Sequence, residues 1–166
     1  MNKGTIIQLT REERDLAYSI GLERYEANRN AGVDPNLISG VDEIRMDQEG
    51  VSGEIALSKG LGQLDQDMEK IKDTSLKSVL LGTDEGDVIY KGLILDVKTT
   101  KYKNGHLLIK KHKLKAQVDG YALITGWYGR YTFAGYIEKD EVEKVGRLEK
   151  NVYWIKQEAL KNLPTY

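Results

Sequence analysis

A chain of 166 residues, 40% apolar and 31% charged, is long enough for one domain with a core of its own and has the composition of an ordinary globular protein. It has no cysteine and only two histidines, His106 and His112, which excludes disulfides and thiolate metal sites and argues against a zinc site built from histidines. The formal net charge of −1 says nothing about partners, but its distribution does: residues 1–90 carry ten basic and eighteen acidic side chains, and residues 91–115 carry eight lysines against Asp96 alone.

A charge run is usually a solvated face, yet one that begins beside carboxylates also suits a phosphate backbone. No stretch approaches the roughly 18 consecutive apolar residues of a membrane span. The segment MNKGTIIQLT is too short in its apolar part for a secretory signal, so the expectation is a cytoplasmic, intracellular protein without a membrane partner.

Thr10-Arg11-Glu12-Glu13 reads as a capping box that opens a helix running to about Asn30, with Leu16, Ile20 and Ala27 as its apolar stripe and Ala17 and Tyr25 beside them. Arg24 and Asn28 fall one turn apart on a neighbouring face, which reads as solvated before it reads as a DNA contact. Residues 33–50 read as loop, with Pro35, Gly40 and Gly50 among acids. Ser52 is the expected cap of a second helix to about Leu61, which puts Glu54 in its first turn, where the helix dipole favours an acid. In the stretch 63–81, apolar turns at Met68–Ile71 and Leu76–Leu81 suggest helix.

Two apolar runs, Val88–Tyr90 and Leu93–Val97, flank Lys91-Gly92 and predict a β-hairpin. Beyond it, 101–105 reads as a turn, His106–Ile109 as a third strand and Lys113–Asp119 as a short helix. Tyr121–Trp127 and Tyr131–Ile137 read as aromatic-rich strands around a turn at 128–130. Ten tyrosines invite a base-stacking role, but aromatic residues are favoured in strands and most should pack sheet faces. A polar helix over Glu138–Leu148, a last strand at Val152–Ile155 and a helical turn over Gln157–Leu163 complete the chain.

The hairpin carries the chemistry. Asp96 and Lys98 share one face of the second strand. With a two-residue turn at Lys91-Gly92, Asp87 stands across from Asp96; with a three-residue turn, Asp84 joins that face instead. Lys91 suits the two-residue turn poorly, because a type I′ turn wants positive φ there. Facing carboxylates repel, and a divalent cation removes the penalty. Few oxygen ligands with room for water suit Mg²⁺.

Asp87, an apolar strand, then Asp96-Val97-Lys98-Thr99-Thr100 resembles the core motif of the PD-(D/E)XK nuclease superfamily over roughly Gly50–Leu123, and the whole chain is similar to small phage-type members. Gly86 stands where the motif has proline. The resemblance favours Asp87 over Asp84, because the family places its acid directly before an apolar strand. It also implies an acid from a preceding helix, for which Glu54 is the candidate. The implied fold is α+β or α/β, a restriction-endonuclease-like core whose mixed central sheet is flanked by helices in the order αβββαβ, with residues 1–166 forming a single nuclease domain.

The implied activity is metal-dependent hydrolysis of phosphodiester bonds in DNA. Asp87, Asp96 and Glu54 would hold Mg²⁺, which Mn²⁺ could replace, and Lys98 would position the attacking water. A structure-selective junction resolvase, acting as a homodimer, and a non-cleaving DNA-binding module on the same fold are the alternatives. Gln117 and Tyr121 match the spacing of a Gln-x-x-x-Tyr element in RecB-like members, but Gly120 interrupts the helix that element requires, so chance explains them better.

Overall fold

Thr10 opens the first long helix as its capping box predicts: its hydroxyl accepts the Glu13 N–H at 3.1 Å, and the Glu13 carboxylate accepts the Thr10 N–H at 2.7 Å. In the computed structural model, which describes residues 1–32, 42–73, 87–115 and 117–165, this helix, α1, spans Arg11–Asn30. It buries Ala17, Ile20 and Gly21, a stripe rotated from the one expected, and Leu16 is exposed.

The second helix, α2, spans Glu43–Gly60 and starts well before Ser52. Asp42 is its cap, accepting the N–H groups of Ile44 at 3.0 Å and Arg45 at 3.3 Å. Much of the stretch expected to be loop is therefore helical, and Gly50 and Gly53 lie inside it. Gly53 has a packing reason: a Cβ there would overlap Thr99 Oγ1, so its absence lets α2 lie close on the sheet. A short helix, α3 (Leu64–Lys72), follows and covers the expected turn at Met68–Ile71. Leu76–Leu81 and Asp84 lie outside the described residues.

The main sheet holds β1 (Ile6–Gln8), β2 (Val88–Tyr90), β3 (Leu93–Thr100), β5 (Gly120–Trp127) and β6 (Arg130–Glu138) in the order β1-β6-β5-β3-β2. β3 and β5 run parallel and the other neighbours antiparallel, so the sheet is mixed. The fold is α+β. β4 (Leu107–Lys110), the expected third strand, leaves the main sheet and pairs with β8 (Val152–Ile155), which in turn pairs with β7 (Arg147–Glu149).

Alternation along β5 explains the layering. Ala122 and Ile124 face the core under α1 and α2, with Ile20, Ile55, Leu95, Val97 and Phe133. Tyr121 and Leu123 face a second core with Leu107, Ile109, Ile137 and Ile155. Helices thus cover one face of the main sheet, and the small β4-β8-β7 sheet lies on the other, where helices were expected. The expected helix at Lys113–Asp119 is a 3₁₀ turn over Lys111–Lys115, and residues 120–127 are strand. The polar helix expected to reach Leu148 shrinks to a 3₁₀ turn and α4 (Val142–Val145), and the residues after it form β7. Among the described residues no helix is long and apolar enough to cross a membrane.

Candidate functional site

The hairpin register is that of a two-residue turn. Val88 pairs with Leu95, Ile89 with Ile94 and Tyr90 with Leu93. Lys91 takes φ 49° and Gly92 φ 84°, both positive as a type I′ turn requires, so the turn holds Lys91 in a conformation it disfavours. At the other end the ladder stops at Val88. The Asp87 N–H donates to the Leu95 carbonyl at 2.8 Å, although Leu95 is already the partner of Val88. The Asp87 amide thus bends toward a residue that is already paired, at the point where β2 begins. The Asp87 carboxylate turns onto β3 and accepts the Val97 N–H at 2.6 Å, satisfying an amide that the short strand β2 does not reach.

Around this carboxylate the other predicted residues converge. Asp96 is 5% exposed, and its Oδ1 lies 2.6 Å from Lys98 Nζ. Lys98 is the more open of the two, with 37% of its side chain accessible. Glu54 is also 5% exposed and sits in the middle of α2, not in its first turn, so the helix dipole does not explain it. Burial pushes the Asp87 carboxyl well above the usual carboxylate range; the charges of Glu54 and Asp96 raise it further, and Lys98 and the Val97 amide oppose them. Asp87 therefore lies within electrostatic reach of Glu54, Asp96 and Lys98 together.

Arg24 is the residue that sequence reasoning assigned elsewhere. It reaches from α1 and grips Glu54 with both ends of its guanidinium, at 2.6 and 2.8 Å, and also donates to the Ile71 carbonyl at 3.1 Å. Burial lowers the Arg24 pKa, but Glu54, Asp87 and Asp47 outweigh it and hold the cation above its ordinary value. A signal was present: Arg24 stands at helical spacing from the buried Ala17, Ile20 and Gly21, so it continues the inward stripe. Asp47 is perturbed in turn, pushed up by burial and pulled down by Arg24 and Arg29.

A second buried acid was not foreseen. Glu49, 7% exposed, accepts hydrogen bonds from Tyr18 at 2.7 Å and Tyr131 at 2.6 Å. Burial, then the bond to Glu49, pushes both phenols above their ordinary range. Tyr121, weighed as part of a RecB-like element, donates to the Lys113 carbonyl at 3.2 Å from strand β5.

Among the described residues no group of three or more His, Asp or Glu side chains is arranged so that it could hold a metal ion. Arg24 occupies both oxygens of Glu54, and Lys98 lies on Asp96. Mg²⁺ asks for less, binding through one or two carboxylates while keeping several waters. Asp87 and Asp96 are the carboxylates that could take such an ion, and the charge of Asp96 that pushes up the Asp87 carboxyl is what a cation would relieve.

The chain belongs to the DUF5843 family, a family of unknown function, whose model matches residues 1–135. That span takes in Arg24, Glu54, Asp87, Asp96 and Lys98. No curated protein and no solved structure matches the chain.

Proposed function

We propose that this member of the DUF5843 family is a Mg²⁺-dependent DNA nuclease of the PD-(D/E)XK kind. One juxtaposition supports the reading: Glu54 from a helix and the Asp96-x-Lys98 pair from a strand each act on Asp87, although Glu54 comes from a separate element well before the hairpin. In this reading α2, β2, β3, β5 and β6 stand for the restriction-endonuclease-like core, with two departures from the αβββαβ order: β4 joins the small sheet, and a 3₁₀ turn at Lys111–Lys115 stands where the second helix would be.

Asp87 and Asp96 would hold Mg²⁺ or Mn²⁺, and Glu54 would complete the acidic cluster. When bound, the ion supplies charge that offsets the negative charge growing on the scissile phosphate and acidifies a water. Lys98, paired with Asp96 and open to solvent, orients the attacking water and stabilises the same charge. Arg24 fixes the Glu54 carboxylate in place through two hydrogen bonds. The lysines that follow Asp96 meet the DNA backbone, with Lys111 exposed at the end of β4. A homodimeric junction resolvase is the same chemistry on a branched substrate.

The second reading is a DNA-binding module that does not cleave. It is favoured by the pairing of Glu54 with Arg24 and of Asp96 with Lys98, which offsets both acids inside the protein. A carboxylate cluster repels phosphate, so a pure binder gains nothing from it, and the nuclease reading is preferred.

The test is incubation with linear, nicked and branched DNA in Mg²⁺, in Mn²⁺ and in EDTA. Cleavage should require metal, disappear in Asp96→Asn and slow in Lys98→Ala. Equal cleavage by Asp96→Asn and the native chain, or none by the native chain on any substrate, would sink the assignment.

A further inference from the structure

One surface outside the acid site joins aromatic rings and cations from four separate elements. Trp127 ends β5 and is 42% exposed; Tyr128, next in the chain, is 53% exposed. Arg45 of α2 lies over the Trp127 ring at 5.0 Å and over the Tyr18 ring at 5.3 Å. Arg14 of α1 lies over Tyr128 at 4.3 Å, and the Tyr18 and Tyr128 rings stand 6.1 Å apart. Lys101, the residue after β3, lies over Trp127 at 5.8 Å.

Two features show that the surface is built. Tyr18 is anchored from below by its hydrogen bond to Glu49, which Tyr131 also clamps, so the ring does not depend on solvent for its position. Tyr128 adopts φ 53° at the tip of the β5–β6 hairpin, where Asn or Gly would fit with less strain. The ring held there packs on Arg14 and Tyr18 from one side and leaves about half its surface open to water. Alternating exposed rings and cations match the chemistry of unpaired nucleotides, whose bases stack on π-faces and whose phosphates meet the cations. A duplex hides its base faces and fits poorly.

We propose that this surface binds single-stranded DNA, with bases stacking on Trp127 and Tyr128 and phosphates meeting Arg14, Arg45 and Lys101. DNA as the ligand rests on the nuclease reading, and position agrees with it. β3 carries Asp96 and Lys98 and runs directly into Lys101, about 10 Å beyond Lys98 at the ~3.3 Å rise of a strand residue. A strand held here would lie near the end of β3 with its bases unpaired, which makes a frayed end, flap or single strand the substrate class.

The experiment is fluorescence anisotropy with a labelled oligo-dT of twelve nucleotides, in EDTA so that binding is read apart from cleavage. Trp127→Leu and Tyr128→Ser should each weaken binding about fivefold or more, from the loss of one stacked base. Trp127→Phe, which restores a ring, should recover most of the affinity. Arg45→Gln should lower the slope of log affinity against log salt by about 0.7. Circular dichroism of each variant checks that it is folded, and the abasic oligomer and the duplex serve as ligand controls. Equal affinity for oligo-dT and its abasic counterpart, tighter binding of duplex, or native affinity in Trp127→Leu overturns the proposal. Binding of this pattern without metal-dependent cleavage keeps the surface and removes the nuclease reading; cleavage without this binding does the reverse.

Discussion

The acid site and the aromatic surface are both charged, and they are built in opposite ways. At the acid site Glu54 and Asp96 are each 5% exposed, and each is held by a cation from its own chain. At the aromatic surface Arg14, Arg45 and Lys101 rest on rings that are themselves open to solvent. A buried charge must be compensated where it stands, because desolvation is expensive and water cannot substitute for a missing partner. An exposed cation on a ring contributes little to folding, since water replaces most of what it loses. Substitutions at the acid site should therefore register in stability and substitutions at the surface in affinity, and each prediction below can break that division.

The largest effect is expected from Arg24→Met, which leaves Glu54 buried without its partner. It should cost about 3–5 kcal/mol, read by urea denaturation, and a chain carrying Glu54→Gln as well should recover most of the loss. A loss below about 1 kcal/mol would mean that solvent reaches Glu54 and that the two regions do not differ as described.

Next comes Gly53→Ala. The added methyl gains helix propensity worth up to ~1 kcal/mol, but it must displace Thr99 Oγ1, and overpacking costs about 1–3 kcal/mol. Net destabilisation is expected, relieved when Thr99→Ala is combined with it. A more stable Gly53→Ala chain would show that α2 does not need its close approach to β3.

Asp87→Asn should act in the opposite sense. Its carboxyl is pushed up in the folded chain, first by burial and then by Glu54 and Asp96, so the folded state binds its proton more tightly than the unfolded state does. The stability this contributes is complete below the unfolded value of about 3.9 and is lost as pH rises through the folded value. Asparagine keeps an acceptor for the Val97 N–H without the charge. In metal-free buffer Asp87→Asn should match the native melting temperature near pH 4 and exceed it increasingly toward pH 8. Parallel curves across that range would remove the electrostatic account of Asp87.

The smallest effect on folding belongs to the basic run. Replacing Lys111, exposed at the end of β4, by Gln should leave the melting temperature nearly unchanged, and the DNA test replaces Lys110, Lys111 and Lys113 together. DNA binding should weaken alike on all sequences, and each phosphate left without its lysine should lower the salt slope by about 0.7–0.9. An unchanged slope returns those lysines to a solvated face.

The parts of this design legible in the sequence are those fixed by neighbours in the chain. The Thr10–Glu13 capping box and the Lys91-Gly92 hairpin both formed where local chemistry placed them. The bond from the Val97 N–H to the Asp87 carboxylate was not legible, because it depends on how the ladder ends beyond Val88. The start of α2 was missed because Gly50, Gly53 and the acids before them read as loop, whereas Gly53 serves contact with a strand far along the chain. Arg24 was read as solvated because its partner lies thirty residues away on another helix. The departure of β4 from the main sheet depended on β8, which comes more than forty residues later. Tyr18, Arg45, Lys101 and Trp127 meet only when four elements have folded, so no window of sequence contains their surface.

The most direct test of the acid site as a metal-dependent catalytic centre is calorimetric titration of the native chain with Mn²⁺ near pH 7.5, beside Asp96→Asn, Asp87→Asn and Lys98→Ala. The account predicts binding by the native chain and by Lys98→Ala, and its loss in both aspartate variants. No binding by the native chain, or binding that survives in Asp87→Asn and Asp96→Asn alike, would contradict it.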